Sequence, residues 1–284
     1  ATFTARNCAF EGNIIGARTA AGSDTGNGND SGAALYLNTF DKAVIDDTLF
    51  ATNGLPNGAN AKSGRDSTLG YTIYATAAPL VARRSKFLGN GALCHTADGG
   101  TIHLAGACGG SAFTNCAFVA NFGHFWSSGT ATRGGTLVAY LASASDRVDV
   151  ANCTFAYNLL LPAGGTPANY AGAAALHVGR GAAHVVDSVF TGQLTANYSS
   201  LAADVYCSAD ATCVIENSCF DNDTGKYFVT PAGSEANLAR ADCRYGDPLI
   251  ATDKATMAAL FNGLGTVNWP RTSAVSAQPF KAGT

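Results

Sequence analysis

The chain has 284 residues and a net charge of −3, and only 13% of its residues are charged, about half the usual share. It lacks the basic footprint that nucleic-acid binding requires, and no run approaches the roughly 18 apolar residues of a membrane-spanning helix. Glycine is abundant, at 33 residues, and low charge with many small residues suits stacked strands joined by tight corners.

A short pattern recurs from the N-terminus onward. Phe10 is followed three residues later by Asn13, and the spacing returns at Phe50/Asn53, Phe87/Asn90, Phe118/Asn121 and Phe155/Asn158, with degenerate copies at Phe190/Gln193 and Phe220/Asp223. Upstream of every copy but the first, small residues lead into an apolar strand whose key positions are Leu35, Ile73, Ile102, Leu137, Leu176 and Val205. From that residue to the next Phe the distance is 15, 14, 16, 18, 14 and 15 residues, whereas the way back is far more variable. One arc of the repeat is therefore fixed and the other is a loop. A unit of this size cannot bury an apolar face alone and must stack on its neighbours. Its period-2 alternation and its Gly, Val, Ala and Thr content make it a set of short strands, so the expected fold is an all-β parallel β-helix of about six to seven coils.

The columns of that solenoid can be written out. The first strand points Leu35 and its equivalents inward, and the second contributes Ile45, Ala82, Phe113, Val150, Val185 and Ile215. A polar residue three before each Phe (Asn7, Asp47, Arg84, Asn115, Asn152, Asp187, Asn217) and a small one two before it (Cys8, Thr48, Ser85, Cys116, Cys153, Ser188, Ser218) mark a bend. Asn152 is assigned to an inward corner column. The Phe and Asn columns complete the coil, with buried amides paired to backbone at the corner.

The alternation of Phe-x-x-Asn with Gly-Gly-Ala-Ile-like tetrapeptides resembles the repeats of the polymorphic outer-membrane protein family, over roughly residues 3 to 223. The resemblance implies a right-handed parallel β-helix of the kind found on cell surfaces. The chain departs from that family in having no discernible outer-membrane barrel pattern after the repeats, so anchoring by its own C-terminus is not expected. β-Helices host adhesins, lyases and fibre proteins alike, so the fold alone does not choose among them.

Residues 1–13 supply only the later part of a coil, and residues 16–31 form a polar, Gly-rich loop. Further loops over 54–69 and 159–170 leave the coil at the same corner, crowding one edge. The nine cysteines and the sequons at Asn29, Asn152, Asn197 and Asn222 point to an oxidising, extracellular setting. Expected disulfides are Cys207 with Cys213, Cys94 with Cys108, and Cys219 with Cys243. Cys116 and Cys153, in one column of consecutive coils, are a buried thiol stack or a bridge. Asn29, Asn197 and Asn222 are the expected glycan acceptors, and Asn152 is not.

Between the inward residues of the first strand lies an outward column of Tyr36, Tyr74, His103, Val138, His177 and Tyr206. This stripe suits sugar stacking or contact with another protein. It offers none of the carboxylates that polysaccharide lyases and hydrolases place on such a face. Asp46 with Asp47, and Asp146 with Asp149, read as solvated turn residues. No catalytic, cofactor or metal site is expected.

After Cys219 the repeat fades, which divides the chain into a β-helix over 1–243 and a C-terminal region over 244–284. There a capping helix is expected over 253–262, followed by an extended tail anchored by Trp269 and Phe280. The expectation for function is a non-enzymatic extracellular structural protein of a surface filament or assembly, a homo-oligomer joined head to tail. The alternatives are a glycan- or receptor-binding adhesin and a polysaccharide-active enzyme. Neither nucleic acid nor membrane insertion is expected.

Overall fold

The computed structural model describes residues 1–13, 33–54, 70–94, 99–125, 132–162, 170–195, 201–202, 204–222 and 226–246. They form a parallel β-helix: every strand pairing is parallel, and each strand meets its equivalent in the next coil. The front sheet is built from Leu35–Asn38, Gly70–Thr76, Gly99–Gly106, Thr132–Leu141, Leu176–Val186, Val205–Cys207 and Phe228–Val229. The back sheet begins with Thr2–Arg6 and Lys42–Asp46 and ends with Ala211–Glu216 and Leu238–Ala241. Leu176–Val186 runs through both, bending at Gly181 (φ +96°). A third, aromatic sheet has eight three- or two-residue strands, from Ala9–Glu11 to Arg244–Tyr245.

The register is the one the sequence columns require. Leu35, Ile73, Ile102, Leu137, Leu176 and Val205 are successive partners in the front sheet, and Phe228 extends them. Ile45, Ala82, Phe113, Val150, Val185 and Ile215 stack in the back sheet, all fully buried. The Phe rings of the third sheet lie nearly parallel, with centroids 4.6–5.1 Å apart from Phe10 to Phe220. That spacing is the inter-strand distance itself, so each ring follows from in-register pairing.

Left-handed corners bracket the first six aromatic strands on both sides, the second corner falling at Gly12, Thr52, Gly89, Ala120, Tyr157 and Gly192. At the first, Asn7, Asp47, Arg84, Asn115, Asn152, Asp187, Asn217 and Asp242 all have φ between +47° and +53°. This corrects the placement of Asn152: the whole column is exposed, because a left-handed residue at a convex corner turns its side chain to solvent. Asn and Asp tolerate this conformation best. The small residue that follows hydrogen-bonds back to the carbonyl two positions earlier, as Thr48 does to Asp46, Ser188 to Val186 and Cys153 to Ala151.

The second corner holds the amide ladder. Asn53 Nδ2 donates to Asn90 Oδ1 (2.9 Å), Asn90 to Asn121 (3.1 Å), Asn121 to Asn158 (3.0 Å) and Asn158 to Gln193 Oε1 (3.0 Å). The same nitrogens also donate to the carbonyls of Phe10, Phe50, Phe87 and Phe118. Each acceptor oxygen in turn receives a backbone N–H from the preceding coil, as Asn121 Oδ1 does from Asn90. Buried amides carrying both donors and acceptors are stable only when paired this fully.

Two features differ from the sequence reading. The coil does not fade at Cys219, because Leu238–Ala241 and Arg244–Tyr245 add an eighth turn, with Tyr245 replacing Phe in the aromatic column. A fourth sheet of Gly91–Cys94, Phe122–Phe125, Leu159–Pro162 and Leu194–Thr195 occupies positions expected to be loop. The helix expected over 253–262 and the tail with Trp269 and Phe280 lie outside the described residues.

Candidate functional site: the aromatic stripe

The stripe forms, but most of it is not surface. Tyr36 is 52% exposed and Tyr74 is half-buried, whereas His103 (3%), His177 (1%) and Tyr206 (8%) are buried. The expected contact surface is thus corrected at its three buried members. The fourth sheet lies against this part of the front sheet, Phe122–Phe125 against Gly99–Gly106 and Thr132–Leu141, and Leu159–Pro162 against Thr132–Leu141, and Tyr206 packs on Ala173 and Val229. The Tyr71 ring also packs edge-on to His103, at 4.7 Å.

Val138 interrupts the column, and Tyr140, two residues on, closes the gap. Rings then follow one another from Tyr36 to Tyr74 (5.9 Å), His103 (5.0 Å), Tyr140 (6.1 Å), His177 (5.6 Å) and Tyr206 (4.8 Å). Tyr140 Oη lies 3.3 Å from His177 Nε2. Burial pushes the Tyr206 phenol above its ordinary pKa. The covered end is packing. The open end presents Tyr36 and Tyr74 with rings 17° from parallel, a surface that can stack on an apolar sugar face or on another protein's side chain.

The outer face of the back sheet carries charge instead. Asp46 is buried under Arg83, which holds it through two bonds of 2.7 and 3.1 Å, with Arg6 at 3.3 Å. The Arg83 hydrogen bond holds the Asp46 carboxyl below the usual carboxylate range. Asp47 is bound by Arg84 in the same forked way. Neither aspartate is turned toward the other as a catalytic pair. Asp149 meets Arg147 at 2.8 Å, and His184 Nε2 lies 3.0 Å from Glu216. Among the described residues no three His, Cys, Asp or Glu side chains are placed to hold a metal ion.

Of the expected cysteine pairs, Cys207 and Cys213 are both buried and stand as free thiols rather than a disulfide, Cys207 donating to the Asn237 carbonyl at 3.7 Å. The Cys207 side chain, with burial, pushes the Cys213 thiol well up. Cys219 and Cys243 line one cleft together with Arg244. Cys108 is instead a core thiol, donating to the Ala105 carbonyl at 3.2 Å. It follows Gly99–Gly106, whose eight residues come between it and Cys94 in the fourth sheet.

Asn222, expected to carry a glycan, is 8% exposed, and its amide donates to Asp204 Oδ2 at 2.8 Å. Asp204 is fully buried, and burial raises its carboxyl well above the usual range, with the Asn222 hydrogen bond opposing. Asp204 drew no notice in the sequence, since a single Asp outside the repeat columns carries no pattern. Asn29 and Asn197 lie outside the described residues.

No protein-family model, curated protein or solved structure matches the chain.

Proposed function

We propose that the chain is a non-enzymatic structural protein of the cell exterior, a stiff subunit of a surface filament or larger surface assembly. The observation that carries this reading is the unbroken amide ladder from Asn13 to Gln193 beside the aromatic column from Phe10 to Phe220. Both interactions act along the solenoid axis. They give an elongated body whose coils are coupled to one another rather than arranged around a cleft. The likeness of the Phe-x-x-Asn and Gly-Gly-Ala-Ile-like repeats to polymorphic outer-membrane proteins supports the same setting. Electron microscopy and sedimentation of the purified chain test it: filaments or defined oligomers support the assembly, and a protein that stays monomeric at every concentration sinks it.

The Tyr36 and Tyr74 pair favours a second reading, a glycan- or receptor-binding adhesin. Binding to a glycan array that is lost in the double alanine variant of these two residues would select it.

A further inference from the structure

Cys116 and Cys153 occupy the column of small residues that follows the first left-handed corner. In every coil that residue hydrogen-bonds back to the carbonyl two positions earlier: Cys8 to Arg6, Thr48 to Asp46, Ser85 to Arg83, Ser188 to Val186, Ser218 to Glu216 and Cys243 to Ala241. Serine or threonine does this at 2.8–2.9 Å, and Cys116 and Cys153 at 3.5 and 3.3 Å. The column therefore needs a small donor and does not need sulfur. Cys8 neighbours Thr48, and Cys243 neighbours Ser218. Among these eight positions, sulfur meets sulfur in adjacent coils only at 116 and 153.

We propose that Cys116 and Cys153 form a disulfide that staples two consecutive coils in the middle of the solenoid. Ala117 and Thr154 are paired directly, and Thr154 N–H donates to the Cys116 carbonyl, so the two cysteines hold equivalent positions in adjacent coils, one residue before the paired strands. Neighbouring strands place such residues about 4.8 Å apart, within the Cα separation that a disulfide spans. In the structure both are free thiols, each donating to the backbone carbonyl two positions earlier. They are 2% and 1% exposed, so the bridge forms as the coils close and is afterwards shielded from reductants.

The chemistry balances with a small disulfide such as oxidised glutathione as the oxidant. One cysteine thiolate attacks a carrier sulfur and releases one carrier thiol; the second cysteine then attacks the mixed disulfide and releases the other. Two protein thiols become one disulfide, the carrier is reduced to two thiols, and they take up the two protons.

The test is to refold the full chain from denaturant in a glutathione buffer, alkylate free thiols, and map the peptides. Trypsin cuts after Arg133 and Arg147, so a bridge links the peptide holding Cys116 to the one holding Cys153, and reduction separates them. The peptide with Cys116 also holds Cys94 and Cys108, so the linkage must persist in Cys94→Ser/Cys108→Ser and vanish in Cys116→Ser. Serine already fills this column at Ser85 and Ser188, so Cys116→Ser/Cys153→Ser should fold. Its melting midpoint should lie below that of the oxidised parent by roughly 5–15 °C, and equal that of the reduced parent. Recovery of both cysteines alkylated, or linkage of either to another cysteine, overturns the proposal. It does so whether or not filaments form, so it fails separately from the assembly reading.

Discussion

The Tyr140 ring lies directly over Gly179 of the next coil, where a Cβ would overlap the ring carbons. Gly179 is what allows Tyr140 to reach across Val138 and meet His177. Gly179→Ala must therefore displace the ring or the backbone, and overpacking of this kind costs about 1–3 kcal/mol. Thermal melting should show the loss, and Tyr140→Ala/Gly179→Ala should lose less than the two single changes added together. Full additivity would mean that the two residues are not in contact.

The aromatic column sets the most damaging apolar substitution. Phe155 is fully buried between Phe118 at 4.6 Å and Phe190 at 4.8 Å. Phe155→Ala loses transfer energy and leaves a cavity, about 3–5 kcal/mol. Denaturant unfolding measures it; an unchanged midpoint would place the ring outside the core.

Beside it, the amide ladder predicts an equally large polar effect. Asn121 donates to the Phe87 carbonyl and to Asn158, and accepts from the N–H and side chain of Asn90. Asn121→Leu keeps the volume and leaves those partners unmatched, at a cost of about 2–5 kcal/mol. If the leucine variant melts like the parent, the ladder contributes nothing to stability.

Asp204 gives the chain a pH dependence of definite sign. Its folded carboxyl titrates well above the ordinary 3.8, chiefly through burial. As pH rises through that ordinary value, the unfolded chain releases a proton that the folded chain keeps, so stability falls until the raised folded value is passed. Asp204→Asn should raise the midpoint at neutral pH and remove this part of the decline, with little change in acid. Asp46 acts the other way: Arg83 lowers its value, so its contribution is present above the ordinary range and is lost in acid. Parallel pH curves for the parent and Asp204→Asn would show that the carboxyl is not buried as described.

The corners make a prediction about modification. Asn152 is exposed at a convex left-handed corner and begins an Asn-Cys-Thr sequon, whereas Asn222 is buried against Asp204. Secreted from a glycosylating host, the chain should carry a glycan on Asn152 and none on Asn222. Peptide mass spectrometry that found the reverse would overturn this account of the corner.

The core was legible because every coil solves the same packing problem with the same residue types. Phe118 and Asn121 announce Phe155 and Asn158, and the strand columns follow by counting back. The fourth sheet was not legible. The strands Gly91–Cys94, Phe122–Phe125 and Leu159–Pro162 stack on one another without sharing a motif, so no repeat marks them. Asn152 misled for a related reason: polarity at a corner is read equally well as an inward amide or an outward left-handed residue, and only φ distinguishes them. Tyr245 was missed because an aromatic without its following Asn leaves half of the pattern.

The matched corners make the length of the solenoid quantised. Each coil passes on the same partners it received, with Asn53 to Asn90 repeating Asn121 to Asn158, so a whole coil can be added or removed and the two faces of the join still fit. Each addition lengthens the body by one strand spacing, about 4.8 Å. Loss of a single residue between Asn115 and Asn121 has no such tolerance, because it sets the two corners out of step with those above and below. The variable stretches between coils absorb insertions, and the segment from the first left-handed corner to the amide ladder, of one length from Asn7–Asn13 to Asp187–Gln193, behaves as a ruler.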